Sequence, residues 1–158
     1  TRYLPDINNT YLDCAPDNSL FVYLSNPSRF YHFQNKKLVK KVDIWPELAM
    51  ESYRNTMETM KRKMAKLKKK NTMYTTMMGG FILDKDNWNT FYLLGYAIDE
   101  GGTWIYRFDI KGRLLNILTT KLPLTIHAKR NGLFYGTSGD DVVVLKEKRV
   151  APVLIQNI

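Results

Sequence analysis

The sequence predicts a mostly β fold made of about three antiparallel units, with one basic amphipathic helix inserted between two of them. Three observations indicate this fold. Aromatic residues make up 13% of the chain, and aromatic side chains favour strands. Short apolar runs alternate with turn residues along most of the 158 residues. One stretch without Gly or Pro, residues 47–70, instead shows the three- and four-residue spacing of a helix.

The clearest unit runs from Asn89 to Thr119 and contains three successive predicted strands. The first strand, Phe91 to Ile98, is an apolar run that ends near Gly101-Gly102, where glycines can adopt positive φ. In the second strand, every other residue is aromatic: Trp104, Tyr106 and Phe108. A turn at residues 109–112 leads into the third strand. Three strands cannot cover both faces of their own sheet, so the unit must pack against copies of itself or another element.

The same order of strands and turns occurs twice more. The first copy covers Leu20 to Ile44, and the third begins at Gly132 and continues through Val142–Leu145 to Val150–Ile155. The openings align as Ser19-Leu20-Phe21, Thr90-Phe91-Tyr92 and Gly132-Leu133-Phe134. The second and third copies are then 42 residues apart, and the first and second are 71 apart. The difference between these two spacings, 29 residues, is about the length of the helical insertion. A period in the low forties built from strands is typical of β-propeller blades. Further strands are predicted near Tyr11–Cys14, Phe81–Leu83 and Leu122–Ala128.

The predicted helical insertion covers residues 46–70. Pro46 suits a first helical position. An apolar stripe recurs at helical spacing and consists of Met50, Tyr53, Met57, Met60, Met64 and Leu67. Residues 54–70 carry a net formal charge of +7 and leave only +2 on the rest of the chain. The overall charge of +9 therefore reflects one segment, whose stripe we expect to pack on a sheet while its lysines face solvent.

This basic helix is also the candidate binding site, with Lys61, Arg62, Lys63, Lys66 and Lys69 as its residues. Such a cluster can bind phosphates through counterion release, or lie on an anionic membrane surface. No aromatic residue lies among the lysines, although a platform for single-stranded bases needs one. We therefore do not expect specific nucleic-acid binding.

No residue set predicts catalysis, a metal or a cofactor. Residues 84–89 place oxygen ligands at alternate positions, as a calcium loop does, but the glycine and glutamate that complete such a loop are missing, so a polar turn is favoured. Cys14 is the single cysteine, which excludes an intrachain disulfide. We expect His32 to be a partly buried strand residue, and His127 has no second ligand nearby. The expectation leans towards a protein that is not an enzyme and holds no cofactor.

Two short stretches of the sequence resemble a known protein family. Residues Trp104 to Leu115, together with Gly132-Leu133-Phe134-Tyr135, resemble the C-terminal half of TolB-like six-bladed β-propellers, and in particular the uncharacterised exported or lipid-anchored bacterial members. The resemblance extends over Leu20–Ile44 and Phe91–Leu145. It implies a single domain over residues 1–158 that forms a partial or half propeller, and an extracytoplasmic location in the periplasm or cell envelope. It implies no activity, because fold does not determine function.

The sequence therefore predicts a non-catalytic binding or scaffold module that uses propeller surfaces for a protein or glycan partner. The alternative is a nucleic-acid or anionic-surface binder that acts through residues 54–70. Because three blades cannot close a ring, we also expect apolar end faces and either self-association or pairing with a second half-propeller. Strands near Leu20 and Val153 should lie in that interface. No run reaches the roughly 18 apolar residues of a transmembrane helix.

Overall fold

The computed structural model describes residues 9–25, 28–44, 47–66, 79–96 and 102–147. Within these ranges the chain forms one helix and antiparallel strands, which confirms the prediction of a mostly β protein. The elements are β1 Thr10–Cys14, β2 Leu20–Ser25, β3 Ser28–Gln34, β4 Lys37–Asp43, α1 Glu47–Lys66, β5 Gly79–Leu83, β6 Thr90–Tyr96, β7 Thr103–Asp109, β8 Leu114–Thr120, β9 Thr125–Arg130, β10 Leu133–Ser138 and β11 Asp141–Lys146.

The strands form three antiparallel sheets in chain order. Sheet A contains β1 to β4, sheet B contains β5 to β8, and sheet C contains β9 to β11. Each strand pairs with its neighbour in sequence, so every sheet is a simple meander. Short turns with positive φ connect several strands, as at Asn35-Lys36 and Asn131-Gly132. The predicted strand at 150–155 lies outside the described residues.

The sheets stack in the order A, B, C, and the first strand of sheet B, β5, lies close to both β1 and β9. One core cluster lies between sheets A and B, and a second lies between sheets B and C. We call the face of each sheet that points from A towards C its front face, and the opposite one its back face. In the described residues the stack is open and does not close into a barrel.

The A–B interface is built mainly from aromatic rings. Phe30 on the front of sheet A stacks on Phe91 on the back of sheet B, with ring centroids 4.5 Å apart, and Phe91 stacks on Phe108 at 5.4 Å. All three side chains are fully buried or nearly so. At the far side of this interface, β4 reaches the turn that precedes β8. A Cβ on Gly112, whose φ is +85°, would lie 2.3 Å from Val42, so only glycine fits there.

The B–C interface uses the alternate residues of the same strands. Tyr92, Leu94 and Ile105 project from the front of sheet B and meet side chains on the back of sheet C. Phe134 meets Tyr92 edge to face, with ring centroids 5.0 Å apart. Because successive side chains point to opposite faces, β6 is buried on both sides. This confirms that the central unit needs a neighbour on each face.

The predicted alignment of the repeats is right for the first two copies and wrong by one residue for the third. Leu20 and Phe91 both lie on back faces, as the alignment requires. The alignment pairs Leu133 with Phe91, whereas the residue that packs against the preceding sheet is Phe134. The true spacing between Phe91 and its counterpart is therefore 43 residues. A one-residue slip exchanges the two faces of a strand, so the error matters for which surface is open.

Helix α1 lies inside the predicted range of 46–70, and residues 67–70 lie outside the described ones. Met50 and Met57 are half-buried but belong to neither core cluster. The side chains of the other stripe residues are not among those described. The prediction that the stripe packs on a sheet therefore stays a prediction.

Candidate functional site

A buried ionic cluster joins sheet B to sheet C where β5 ends. Asp84 is 1% exposed, and its carboxylate accepts hydrogen bonds from the Tyr92 hydroxyl at 3.0 Å and the Thr90 hydroxyl at 3.2 Å. The Lys129 ammonium of β9 donates to the same carboxylate at 3.2 Å. The backbones of Asp84 and Lys129 form a parallel bridge, which holds the two side chains at this spacing.

Asp86 is the second carboxylate of the cluster and lies nearer the surface. It accepts hydrogen bonds from Lys129 Nζ at 2.6 Å and from the backbone amides of Asn131 and Gly132 at 2.6 and 2.7 Å. These amides belong to the β9–β10 turn, so Asp86 ties sheet B to that turn. The Lys129 hydrogen bond, followed by the Gly132 amide, lowers the pKa of Asp86 to about 2. The carboxylate is therefore ionised at neutral pH.

Lys129 stays charged although its side chain is only 8% exposed. Burial alone lowers the pKa of this lysine, but hydrogen bonds to Asp86 and Asp84 outweigh burial and raise it above its ordinary value. Burial, reinforced by the charge of Asp84, raises the pKa of Tyr92 as well. The Arg107 guanidinium adds a second positive charge, with Nη2 3.9 Å from the Asp84 carboxylate and its centre 5.8 Å from the Tyr92 ring.

This cluster is suited to joining the sheets and not to binding a cation. The Lys129 ammonium contacts both carboxylates, so it occupies the position that a metal ion would take between them. In the part of the chain that the structure describes, no three His, Cys, Asp or Glu residues lie close enough to form a metal site. Residues 84–90 form hydrogen-bonded turns, as the polar-turn interpretation predicts, with the Asn87 amide donating to the Asp84 carbonyl at 3.1 Å.

A cleft of about 290 Å³ lies between sheet B and sheet C, and none of the residues of the ionic cluster lines it. Its floor is formed by the outer strands of sheet B, with Ile105 and Leu118 directly paired across β7 and β8. Phe134 and Leu145 of sheet C also line it, together with Lys146 and Glu147. The walls are mostly apolar, which is typical of sites that bind a side chain or an apolar ligand.

Two buried polar atoms lie on the same two strands of sheet B as Ile105 and Leu118. Arg107 and Asn116 face each other across β7 and β8, one step along the sheet from Ile105 and Leu118. Arg107 Nε and Asn116 Oδ1 are buried and have no hydrogen-bond partner among the described residues. A buried donor and a buried acceptor without partners each cost about 1–3 kcal/mol. The front of sheet B is therefore incompletely satisfied on its outer strands.

The predicted basic site lies on α1 and shares no residue with this cluster. Lys61, Arg62 and Lys66 are exposed, and Arg62 Nη2 lies 3.6 Å from the Glu58 carboxylate one turn away. The backbone of Lys63 is helical, but its side chain is not among those described, and Lys69 lies outside the described residues. The structure thus places three of the five candidates on the solvent side of a helix and does not test whether they bind anything.

The two ends of the stack form a second kind of candidate surface. The back face of sheet A carries Leu12, which is 65% exposed, directly paired with Val22, which in turn pairs with Tyr31. The front face of sheet C carries Tyr135 paired with Val144, which are 36% and 53% exposed. Both faces therefore carry exposed apolar side chains among the described residues. The predicted end surface near Val153 lies outside the described residues.

Comparisons with known proteins add no family to this description. No protein-family model, curated protein or solved structure matches the chain. The resemblance to TolB-like propellers therefore stays an expectation. Among the described residues, no helix combines the length and apolar character needed to cross a bilayer.

Sequence reasoning missed the residues that join sheets B and C. Lys129 is one of 24 lysine and arginine residues, and nothing in its neighbourhood sets it apart. Arg107 and Asn116 lie within strands whose pattern is defined by their apolar and aromatic neighbours, so neither residue stands out in the sequence. One signal was available, because the Asn131-Gly132 dipeptide is a strong hairpin marker and places Lys129 on the strand before it.

Proposed function

We propose that this chain is a non-catalytic binding module, a partial propeller, whose two end faces bind protein surfaces of the same β-sheet kind. The observation that carries the proposal is the contrast between sheet B and the ends of the stack. Sheet B buries both faces against neighbours, whereas the back of sheet A and the front of sheet C carry exposed apolar side chains. Exposed apolar patches on sheets are typical of partner surfaces.

The two open faces are of opposite types, one back face and one front face. Both internal interfaces join the front of one sheet to the back of the next. The faces left open are a back face, on sheet A, and a front face, on sheet C. A second copy can therefore present the face that each end lacks, and two copies would meet twice through contacts of the same type as those inside the chain. Contacts of this unlike-face kind form rings when they close.

The position of the first strands supports the propeller form of this proposal. Strand β5 lies next to both β1 and β9, as the inner strand of a blade lies next to those of its two neighbours. The open faces favour a protein partner over a glycan, because the residues that define them are mainly aliphatic, as Leu12, Val22 and Val144 show. A sugar would need convergent polar groups to fix its hydroxyls.

Sedimentation and light scattering of three variants test the proposal. Leu12→Arg places a charge on the open face of sheet A, and Val144→Arg does so on sheet C. The matched control is Leu122→Arg, because Leu122 is 46% exposed in the β8–β9 connection and belongs to neither face. We expect self-association of the unmodified chain at tens of micromolar, weakened at least about tenfold by either face variant and unchanged by the control.

Mixing the two face variants sharpens the test. A mixture of Leu12→Arg and Val144→Arg chains contains one intact pair of unlike faces, so it should form a heterodimer although neither variant associates alone. An unmodified chain that stays monomeric at tens of micromolar would contradict the prediction of self-association. A dimer that both variants leave intact would show that the end faces are not the interface.

A further inference from the structure

The outer strands of sheets A and B each contain a β-bulge close to their start. In sheet A the register between β3 and β4 shifts so that Val39 is an extra residue in β4. In sheet B the register between β7 and β8 shifts in the same way, and Leu115 is the extra residue in β8. A bulge bends its strand and redirects side chains, so bulges at equivalent places in two sheets indicate a feature of the fold.

Each bulge exposes a pair of adjacent aliphatic side chains. Leu38 and Val39 of β4 are 52% and 56% exposed, and Leu114 and Leu115 of β8 are 42% and 47% exposed. A single exposed aliphatic residue is ordinary on a protein surface. The same exposed pair at the start of two outer strands is a repeated apolar tip, and such patches mark sites of interaction.

The two tips belong to one surface. Val42, near the end of β4, lies against the β7–β8 turn so closely that it leaves no room for a Cβ on Gly112. Strand β4 therefore extends from its own tip to the turn that precedes the other tip. We call this surface the outer rim and define it as residues 35–43 and 109–115.

The outer rim is basic. It contains six basic and two acidic residues, a net formal charge of +4. Both carboxylates already have a cation, Asp43 from Arg29 and Asp109 from Arg113. None of the five rim lysines forms a salt bridge with a described residue: Lys36, Lys37, Lys40, Lys41 and Lys111. Lysines on an outer strand commonly prevent the addition of another strand, but that role does not require exposed aliphatic pairs beside them.

We propose that the outer rim binds an anionic phospholipid surface, with its lysines at the headgroups and its two aliphatic tips inserted just below them. Apolar side chains flanked by cations are typical of segments that lie in the membrane interface. A lysine stem can lie along apolar surface while its ammonium group stays at the headgroups. A soluble polyanion would contact the lysines alone, and an apolar protein surface would contact the tips alone, so the combination favours a membrane. The inference does not depend on the proposed function, and the rim shares no residue with α1.

Co-sedimentation of the full chain with lipid vesicles tests the role of the charges. The vesicles contain phosphatidylcholine alone or phosphatidylcholine mixed with phosphatidylserine. We expect the unmodified chain to bind the mixed vesicles and not the neutral ones. The rim variant Lys36→Gln, Lys37→Gln, Lys41→Gln changes exposed residues and should weaken that binding by about tenfold or more.

The basic helix provides the matched control for this variant. Lys61→Gln, Arg62→Gln, Lys66→Gln removes the same charge from exposed positions of α1. A loss of net charge alone would weaken binding equally in the two variants. We expect the α1 variant to weaken vesicle binding much less than the rim variant, because its residues lie outside the contact surface.

A second pair of variants tests the aliphatic tips. Val39→Ser combined with Leu115→Ser removes one apolar side chain from each tip and leaves the charge unchanged. This variant should weaken binding to the mixed vesicles by about tenfold or more and leave binding to heparin, a soluble polyanion, unchanged. Leu122→Ser is the control, because Leu122 is 46% exposed but lies outside the rim. All these side chains are exposed, so each variant should keep the urea midpoint of the unmodified chain.

Three results would overturn the proposal. Equal binding to vesicles with and without phosphatidylserine, or binding to neither, would exclude an anionic lipid surface as the partner. A tip variant that binds the mixed vesicles as tightly as the unmodified chain would show that the aliphatic tips do not enter the bilayer. Binding that the α1 variant abolishes and the rim variant leaves intact would assign the membrane contact to the helix.

Discussion

The Asp84–Lys129 pair should be the most sensitive ionic contact in the described chain. Lys129→Met removes the ammonium group but keeps most of the side-chain volume. It leaves the Asp84 carboxylate, which is 1% exposed, with Arg107 Nη2 at 3.9 Å as its remaining cation. Removing one partner of a buried pair costs about 3–5 kcal/mol. That is a large share of the roughly 5–15 kcal/mol by which domains are stable.

A second lysine provides the matched control. Lys85 Nζ lies 2.5 Å from the Asp13 carboxylate and links sheet A to the end of β5, but these two side chains are 30% and 29% exposed. Lys85 also lies 4.8 Å from the Trp88 ring centre. Pairs with this exposure contribute about 1 kcal/mol, so Lys85→Met should have a much smaller effect than Lys129→Met. The two variants differ mainly in burial.

Urea unfolding followed by tryptophan fluorescence measures both effects, because Trp88 and Trp104 pack beside the A–B core. For a chain of this length, a loss of 3–5 kcal/mol also lowers the melting temperature by roughly 6–20 °C. Equal losses for the two variants, within about 0.5 kcal/mol, would show that the Asp84 site is hydrated. The explanation of the cluster as a buried sheet-to-sheet link would then be wrong.

Three other predictions follow from named contacts. The pKa of Asp86 is lowered to about 2 in the folded chain and is about 3.9 in the unfolded chain. The stabilisation of the fold by this ionised carboxylate is therefore complete above about pH 5 and is lost as pH falls towards 2. Asp86→Asn should flatten the acid limb of a curve of unfolding free energy against pH. Gly136→Ala should cost about 1–3 kcal/mol in urea unfolding, since the new Cβ would lie 2.4 Å from the Thr125 carbonyl oxygen, and an unchanged midpoint would contradict this crowding. The triple variant Lys61→Gln, Arg62→Gln, Lys66→Gln should weaken only salt-sensitive polyanion binding in fluorescence titrations; nanomolar, salt-resistant binding by the unmodified chain would instead favour the nucleic-acid alternative.

The sequence predicts the strands well because each one carries its own local signal. Aromatic alternation in β7 and the glycine and asparagine turns act over a few residues, and the structure confirms them. The order of the sheets follows from the repeat. The face that each strand presents is harder to predict, because it depends on a register that one residue can reverse, as the misaligned Leu133 shows.

The candidate sites were predicted less well for a physical reason. The link between Asp84 and Lys129 joins residues 45 positions apart, and no local pattern encodes such a pair. The basic helix, in contrast, stands out by composition alone, yet composition says nothing about what it contacts. The sequence therefore predicts the exposed charges of the basic helix and does not predict the buried pair of Asp84 and Lys129.

The connection between sheets A and B has a consequence for how chains of this kind can change in length. Thirty-five residues separate β4 from β5, whereas four separate β8 from β9. The entropy of closing a flexible connection grows only with the logarithm of its length, so the longer one costs about 2 kcal/mol more. Inter-sheet connections are therefore places where whole elements can be inserted or deleted while the stacked sheets stay as they are, and α1 occupies one of them.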